Sequence, residues 1–277
     1  MTSSTAVPTI ALNNGTHIPQ LGFGVFRVDP AETKRVASDA LEVGYRHIDT
    51  AAGYNNEHGV GAALAASGIA RDELFVTTKL ANDDQANAAS AFQASLDKLG
   101  LDSVDLYLIH WPMPKRDTYA KAWEELIEIA ASGRAKAIGV SNFMVPHLER
   151  IIGETGVTPA VNQIELHVDF QQAELRGFDL SHGIATEAWG PLGQGKISQA
   201  PELKSIADAH GKSVVQTILR WHIQLGNVAI PKSNHRERMA ANFDIFDFEL
   251  ADAELATIAA LDKGEAGRGS AHPLEVN

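Results

Sequence analysis

The feature that most constrains the fold of this chain is a repeat of eight short apolar segments, each followed by a stretch with helical periodicity. Apolar strands that alternate with helices are typical of a parallel sheet covered by helices. Eight such units in 277 residues predict an α/β fold, the (β/α)8 TIM barrel. The predicted strands cover residues 21–26, 46–50, 74–79, 104–110, 136–141, 160–165, 184–189 and 228–233.

An open doubly wound sheet is the nearest alternative, but that fold usually carries a glycine-rich phosphate loop after its first strand. Gly22 and Gly24 stand at the right place for such a loop, but the third glycine is missing. Gly193 and Gly195 fail in the same way, because Ser198 takes the third position. Both pairs are more typical of turns, so the barrel is the preferred fold.

The two ends of the chain are expected to cover parts of the barrel. Asn14-Gly15 lies between two short alternating segments and predicts an N-terminal β-hairpin that caps one end. Residues 262–277 show little periodicity and are expected to form a C-terminal loop over the active-site face. No stretch resembles a linker, so residues 1–277 are predicted to form a single domain.

The composition excludes several classes of function. The chain has no cysteine, which excludes disulfides, thiolate metal sites and cysteine nucleophiles. Its net charge of -12 disfavours binding to nucleic acid or to an anionic membrane. The sequence shows no secretory signal and no apolar run of about 18 residues. We therefore expect a cytoplasmic monomer whose partner is a small-molecule substrate, with no nucleic-acid or membrane partner.

Four side chains that can donate or carry a proton stand at the ends of successive predicted strands: Asp49, Tyr54, Lys79 and His110. The ends of parallel strands gather at one face of a barrel, where residues far apart in sequence can surround one substrate. A buried Lys79 needs an anionic partner, and Asp49 is the obvious one. The ammonium of Lys79 would lower the pKa of Tyr54, which makes the phenol a candidate general acid and base.

His110 is a candidate for orienting a substrate carbonyl, because a neutral imidazole can donate a hydrogen bond to it. A single histidine is more often structural, and the ten other histidines are interpreted in that way. The sequence contains no His-Glu-x-x-His pattern or other tight ligand spacing, so no metal site is predicted.

Later strand ends carry side chains that suit a nucleotide cofactor. The amides of Asn142 and Gln163, with Ser141 beside them, suit a carboxamide substituent. The flat indole of Trp189 suits stacking on a heteroaromatic ring, although packing in the core would explain it equally well.

A cluster of positive charge follows the last predicted strand. Lys232, Arg236 and Arg238 lie in a short stretch that begins a helix, in a chain that is acidic overall. A serine, a strand end and a helix N-terminus together are typical of a phosphate site, and an ordinary solvated helix face is the alternative.

Several motifs, in this order and spacing, closely resemble the aldo-keto reductase family, and the resemblance extends from about Ile10 to the C-terminus. They are Gly44-Tyr-Arg-His-Ile-Asp49-Thr-Ala-Ala-Gly-Tyr54-Asn-Asn-Glu57, Lys79, Asp105-Leu-Tyr-Leu-Ile-His110-Trp-Pro, Gly139-Val-Ser-Asn142, Asn162-Gln163 and Ile230-Pro-Lys-Ser233. Within the family the chain is most similar to the bacterial 2,5-diketo-D-gluconate reductases. Residues 59–72, Trp189-Gly-Pro-Leu-Gly-Gln-Gly-Lys196 and Ser270-Ala-His-Pro carry that closer similarity.

The resemblance implies a barrel that binds NADPH without a Rossmann domain. It implies that Asp49, Tyr54, Lys79 and His110 are the catalytic tetrad. Ser141, Asn142 and Gln163 would hold the carboxamide, and Trp189 would stack on the nicotinamide. The remaining cofactor contacts would be Leu192, Gly193 and Gln194 at the pyrophosphate, Lys232, Ser233 and Arg238 at the adenosine 2′-phosphate, and Asn242 near the adenine. The candidates for the substrate pocket wall are Phe23, Trp111, Phe143 and His272.

The activity that the resemblance implies is NADPH-dependent reduction of a carbonyl to an alcohol, either 2,5-diketo-D-gluconate to 2-keto-L-gulonate or a related keto compound. The alternatives are a broad-specificity reductase of small aldehydes and diketones such as methylglyoxal, and a non-catalytic NADPH-binding barrel that regulates a partner. A lyase with a Schiff base on Lys79 or Lys232 is a further alternative. Ala81 stands where many relatives have tryptophan, so the substrate pocket is expected to be enlarged.

Overall fold

Within residues 7–193 and 199–276, which the computed structural model describes, eight parallel strands form the centre of the molecule. Neighbours in sequence are also neighbours in the sheet, and every pairing is parallel. The strands are β3 (Phe23–Gly24), β4 (His47–Asp49), β5 (Phe75–Leu80), β6 (Val104–Ile109), β7 (Ala135–Ser141), β8 (Val161–Glu165), β9 (Ala185–Trp189) and β10 (Val228–Ala229).

The first and last strands meet and close the sheet into a barrel. Leu21 forms a parallel bridge with Ala229. The backbone of Gly22 donates to the carbonyl of Ala229 at 2.9 Å, and the backbone of Ala229 donates to Gln20 at 2.8 Å. The prediction of a (β/α)8 barrel is therefore confirmed.

The first and last strands of the barrel are much shorter than the sequence predicted. The expected strand 228–233 ends at Ala229, and the expected strand 21–26 is reduced to Phe23–Gly24. Pro231 has no amide hydrogen and cannot donate to a sheet ladder. At the other strand, Arg27 adopts a positive φ of 57° and turns the chain away from the barrel.

Helices follow the strands as predicted and surround the barrel. The predicted helix over 84–99 begins only at Ala88, because residues Asn82–Asn87 form a tighter 3-10 turn that directs Gln85 inward, where its amide donates to the carbonyl of Trp111 at 2.7 Å. No helix among the described residues is long and apolar enough to cross a membrane. The helices are α1 (Thr33–Val43), α2 (Glu57–Ala66), α3 (Ala88–Leu99), α4 (Tyr119–Ala131), α5 (Val145–Thr155), α6 (Ala173–Ser181), α7 (Pro201–Ala209), α8 (Val214–Gln224), α9 (Arg236–Phe243) and α10 (Asp252–Ala259).

The predicted hairpin closes the end of the barrel at which the strands begin. Strands β1 (Thr9–Ala11) and β2 (His17–Pro19) are antiparallel, and Gly15 takes the positive φ of 84° that the turn requires. The side chain of Asn14 donates to the carbonyl of Lys136 at the start of β7, at 2.8 Å. Buried Ile18 packs beneath the barrel with the apolar residues of its lower layer.

Polar side chains fill the middle of the barrel. Successive residues of a strand face opposite sides, so His47 and Asp49 both point inward from β4. The ring of His47 occupies space that Gly22 leaves open, because a Cβ at Gly22 would lie 2.5 Å from Nδ1 of His47. This layer lies directly below the strand ends, where the predicted site residues stand.

A residue on the outer face of β8 contacts a buried carboxyl group. Asn162, next to Gln163 on this strand, points outward and its amide nitrogen lies 3.4 Å from both carboxyl oxygens of Asp179 in α6. The hydroxyl of Thr186 in β9 donates to the same carboxyl at 3.1 Å. Burial raises the pKa of Asp179 to about 7 from an ordinary value of 3.8.

Substitution Asp179→Asn is expected to stabilise the fold at alkaline pH. A carboxyl whose pKa is higher in the folded protein binds more protons there, so the wild-type free energy of unfolding should fall as pH rises from about 4 to about 7. The variant has no carboxyl group at this position, so its free energy of unfolding should not fall in this way. Above pH 7 it should be more stable than wild type by on the order of 1 to 3 kcal/mol. Urea unfolding at pH 5 and pH 8 measures the difference. A variant that is less stable at both pH values would contradict the assignment.

Candidate active site

The four predicted proton-bearing side chains meet at the carboxyl ends of the strands. The ammonium nitrogen of Lys79 lies 2.6 Å from Oδ1 of Asp49 and 3.3 Å from the hydroxyl of Tyr54. The ring of His110 lies 5.5 Å from the ring of Tyr54, between centroids, at 73°. One compact group therefore joins residues that are up to 61 positions apart, from Asp49 to His110.

Local structure explains how each side chain reaches this point. Asp49 ends β4 and Lys79 lies near the end of β5, and strand alternation turns both of them into the barrel. The 3-10 turn Ala52–Tyr54 carries Tyr54 back over the strand ends. His110 directly follows β6, and its carbonyl accepts a hydrogen bond from the amide of Asn142 at 2.9 Å.

Lys79 stays charged although it is completely buried. Burial alone would lower its pKa, but the attraction of Asp49, Tyr54 and other nearby acidic groups is stronger, and the net effect raises the pKa. Its third acceptor is the carbonyl of Thr50 at 2.9 Å. Because a Schiff base needs a neutral amine, these contacts argue against Lys79 as the nucleophile of a lyase.

The pKa of Tyr54 is shifted in the opposite direction to the one the sequence suggested. Burial raises its pKa more strongly than the ammonium of Lys79 lowers it, and the charge of Asp49 adds to the rise. The expectation of a lowered pKa was therefore wrong. The phenol is protonated at neutral pH, so it is ready to donate a proton.

His110 is uncharged in the physiological range. Burial, with a smaller contribution from the charge of Lys79, lowers the pKa of His110 to about 3. Its imidazole can therefore act as a neutral hydrogen-bond donor beside Tyr54, as the sequence analysis expected, but not as a general acid at neutral pH.

The predicted carboxamide-binding residues form a connected group beside Lys79. The amide nitrogen of Gln163 donates to Oδ2 of Asp49 at 2.8 Å and to Oε2 of Glu187 at 2.9 Å. Two carboxyl groups accept from this nitrogen, so only the amide oxygen of Gln163 can face a ligand. Ser141 is directed to the backbone, because its hydroxyl donates to the carbonyl of Gln163 at 3.0 Å.

Asn142 connects His110 to Trp189. Its backbone has a positive φ of 62°, and its side-chain oxygen accepts from the indole nitrogen of Trp189 at 2.8 Å. The indole is thus held by its edge, and the half-buried ring keeps a face for stacking.

A basic surface lies where β10 leads into α9. Lys232 and Arg238 are exposed, and no ion pair binds either of them within the described ranges. Ser233 accepts a hydrogen bond from the backbone of His235 at 3.1 Å, at the start of α9. Arg236 points elsewhere: its guanidinium pairs with Glu42 and lies 3.6 Å from Asp39. Of the three predicted cations, Lys232 and Arg238 therefore remain available to an anionic ligand.

Sequence reasoning missed Arg27 as part of this basic surface. Burial and the positive charge of nearby Arg27 together lower the pKa of Lys232, so the two side chains lie close together. Arg27 is far from Lys232 in sequence, and only the closure of the barrel joins their strands.

The other predicted cofactor contacts lie around the same edge. Asn242 is buried in α9, and Leu192 and Gly193 lie in half-buried positions in the loop after β9. Gln194 lies outside the described residues. The roles of these residues remain predictions.

Two of the four candidates for the pocket wall were misplaced. Phe23 is fully buried on the outer side of β3, with its ring 5.4 Å from Tyr45. Phe143 is also fully buried, 5.5 Å from the ring of Tyr119. A side chain packed between strands and helices cannot line an open pocket, which corrects both assignments.

Phe26, in contrast, is an exposed aromatic side chain next to Tyr54. It is 49% exposed, and its ring centroid lies 5.0 Å from that of Tyr54. Trp111 is half-buried directly after His110, and its place in the pocket wall remains a prediction. His272 lies close enough to His147 for its charge to act on that ring.

The tail crosses the carboxyl end of β8, as predicted for a loop over this face. Glu165, the last residue of β8, accepts from the backbone of Gly269 at 2.8 Å and of Ser270 at 3.1 Å. Arg268 stacks its guanidinium on the ring of Phe170 at 4.6 Å. The tail is therefore attached beside the group formed by Asp49, Tyr54, Lys79 and His110.

Known proteins share this fold and much of this sequence. Residues 20–263 match the model of the Aldo/keto reductase family. The methylglyoxal reductase DkgA of Yersinia pestis is 51% identical over 263 residues, 94% of this chain and 95% of that protein. The crystal structure of an aldo/keto reductase from Brucella melitensis is 55% identical, with a TM-score of 0.89 over 93% of this chain and 100% of that one. The crystal structure of a Gox0644 mutant in complex with NADPH is 43% identical, with a TM-score of 0.94 over 98% of this chain and 99% of that one.

Removal of the buried ammonium should destabilise the fold because it leaves a carboxylate without its cation. Lys79→Met is expected to lower the free energy of unfolding by about 3 to 5 kcal/mol. The double variant Asp49→Asn with Lys79→Met removes both charges and should recover most of that loss. Chemical denaturation measures both effects. Lys204→Met is the control, because its exposed pair with Asp208 should contribute less than about 1 kcal/mol. Equal destabilisation of the single and double variants would contradict the pairing.

Proposed function

The chain belongs to the aldo/keto reductase family, and on that basis we propose that it reduces small dicarbonyl compounds such as methylglyoxal to hydroxy-carbonyl products with NADPH. The observation that carries the proposal is the ammonium of Lys79, bound between the carboxylate of Asp49 and the phenol of Tyr54. This arrangement provides a protonated phenol next to a fixed positive charge. Such a pair can deliver a proton to a carbonyl oxygen that gains negative charge.

The residues present fit a nicotinamide dinucleotide phosphate. The amide oxygen of Gln163 can accept from a carboxamide, and the indole of Trp189 offers a flat face. Exposed Lys232 and Arg238 offer positive charge in a chain whose net charge is -12. These groups are the chemical complements of a carboxamide, an aromatic ring and a phosphate.

NADPH supplies the hydride that reduces the carbonyl carbon. Tyr54 donates a proton to the carbonyl oxygen, and the positive charge of Lys79 stabilises the phenolate left behind. Asp49 holds Lys79 in place and balances its charge. Neutral His110 donates a hydrogen bond to the same oxygen and orients it towards Tyr54.

A small dicarbonyl substrate is supported by the relatives and by the opening of the pocket. Relatives about half identical over nearly their whole length carry the name methylglyoxal reductase. Phe26 offers aromatic surface beside Tyr54, and half-buried Trp111 directly follows His110. A sugar acid such as 2,5-diketo-D-gluconate would need polar partners for its hydroxyl groups, and it is the second substrate to compare.

Substitution Tyr54→Phe should abolish turnover and spare cofactor binding. Wild-type protein is expected to oxidise NADPH in the presence of methylglyoxal, with a higher kcat/KM than for 2,5-diketo-D-gluconate. The variant lacks the proton donor and should lose at least about a hundredfold in kcat. Absorbance at the NADPH band measures turnover, and quenching of tryptophan fluorescence measures NADPH binding. Unchanged turnover in the variant would refute the role of Tyr54, and a preference for the sugar acid would refute the substrate class.

Substitution Arg238→Ala should weaken NADPH far more than NADH. A guanidinium that binds a phosphate contributes about 1.5 to 3 kcal/mol, which corresponds to roughly a ten- to hundredfold change in Kd. NADH has no 2′-phosphate and should be nearly unaffected. Arg236→Ala is the matched control, because that guanidinium is occupied by Glu42 and Asp39. Equal losses for both cofactors would argue against the assignment.

A further inference from the structure

Glu187 is a buried carboxyl group that the proposed reaction does not yet use. It lies in the middle of β9 and faces into the barrel, two residues before Trp189. Its Oε2 accepts from the amide nitrogen of Gln163 at 2.9 Å, and the same nitrogen donates to Asp49 at 2.8 Å. One amide group therefore connects this carboxyl to the ion pair of Asp49 and Lys79.

The charges inside the barrel do not balance if both carboxyl groups are ionised. Asp49 and His47 on β4 face Glu187, and the cation Lys79 on β5 faces it as well. Lys79 is bonded directly to Asp49 at 2.6 Å, and within residues 7–193 and 199–276 no lysine or arginine forms an ion pair with Glu187. An isolated carboxylate in a dry interior is costly, so the second negative charge is removed by a proton on Glu187.

The pKa values of Glu187 and His47 agree with a proton on Glu187. Burial, together with repulsion from Asp49, raises the pKa of Glu187 to about 8. Burial lowers the pKa of His47 to about 4. The 3.6 Å contact between Nε2 of His47 and Oε1 of Glu187 is therefore a contact of two neutral groups at neutral pH, not a salt bridge.

We propose that Glu187 is a positioning residue of the active site: through the shared amide of Gln163 it holds Asp49 against Lys79, and its charge state acts on the hydroxyl of Tyr54. The path is continuous, with contacts of 2.9, 2.8, 2.6 and 3.3 Å from Glu187 through Gln163, Asp49 and Lys79 to Tyr54. The same contact occupies the nitrogen of Gln163 and leaves only its side-chain oxygen as a possible contact for the cofactor. This inference rests on the proposed function only for its effect on turnover.

The neutral form of Glu187 is the active one. When Glu187 loses its proton, a second negative charge appears beneath Lys79 and disfavours the phenolate that Tyr54 becomes after it donates. The rate of the proton-donating step should therefore fall as pH rises through about 8. Between pH 6 and 7 the group is protonated, and the rate should not depend on it.

The barrel wall supplies a matched control. Strand β8 carries Gln163 on its inner face, bound to Glu187, and Asn162 on its outer face, bound to Asp179. Both carboxyl groups are fully buried and both have raised pKa values. Glu187→Gln and Asp179→Asn are thus equivalent changes on opposite sides of one strand.

Two variants of Glu187 separate charge from position. Glu187→Gln keeps an acceptor for Gln163 and removes the titration. Its single-turnover NADPH oxidation should match wild type at pH 7 and lack the wild-type fall of about three- to tenfold above pH 8. Glu187→Leu also frees Gln163, and it should lower the rate at pH 7 by about tenfold or more and weaken NADPH binding. Asp179→Asn should keep the wild-type profile.

Infrared difference spectroscopy tests the proton itself without any substrate. The carbonyl stretch of a protonated carboxyl should appear in wild type minus Glu187→Gln, disappear with a midpoint near pH 8, and persist in Asp179→Asn. Three results would each overturn the proposal. They are the absence of that band, a pH profile of Glu187→Gln equal to that of wild type, and a change in the pH profile of Asp179→Asn equal to the change in Glu187→Gln. A wild-type protein that turns over no carbonyl but shows the band, with NADPH binding weakened in Glu187→Leu, would refute the proposed function alone.

Discussion

The buried ammonium of Lys79 is the constraint on which the site depends. A charge with no access to water must be surrounded by acceptors, and the end of β4 and the turn that follows it provide them. Asp49 balances the charge, the carbonyl of Thr50 fills a second direction, and Tyr54 takes the third. The phenol that we propose as the proton donor is thus held in place by the same cation that would assist it. The geometry needed for stability and the geometry needed for chemistry are the same.

Groups that are neutral at physiological pH lie next to the ion pair of Lys79 and Asp49. His110 above it and His47 below it both have pKa values near 3 to 4 because burial disfavours their charged forms. Burial likewise keeps Tyr54 protonated. The charges of Lys79 and Asp49 act on Tyr54 in a buried environment, where charges are screened more weakly than in water.

The sequence predicted the fold and the meeting of the four proton-bearing residues because both follow from a regular pattern of strands and helices. It failed where the outcome depends on three-dimensional packing. Burial of Tyr54 determines its pKa, and the sequence around Tyr54 does not indicate that burial. Phe23 was misassigned although alternation offered a clue, since the glycines on either side of it face the barrel interior. Glu187 could have been found by the same rule, because it stands two residues before Trp189 and so shares its face. Arg27 could not, since its partner Lys232 joins it only through barrel closure.

The two amides of β8 also determine how that strand can pair. A slip of one residue would exchange the faces of Asn162 and Gln163 and place the shorter amide inside the barrel. Asparagine is one methylene shorter, so it would not span the gap between Asp49 and Glu187, and the longer glutamine would crowd Asp179 outside. A misaligned strand would therefore lose hydrogen bonds to buried carboxyl groups on both sides of the wall at once. The different lengths of these two neighbouring side chains therefore favour the correct register of β8.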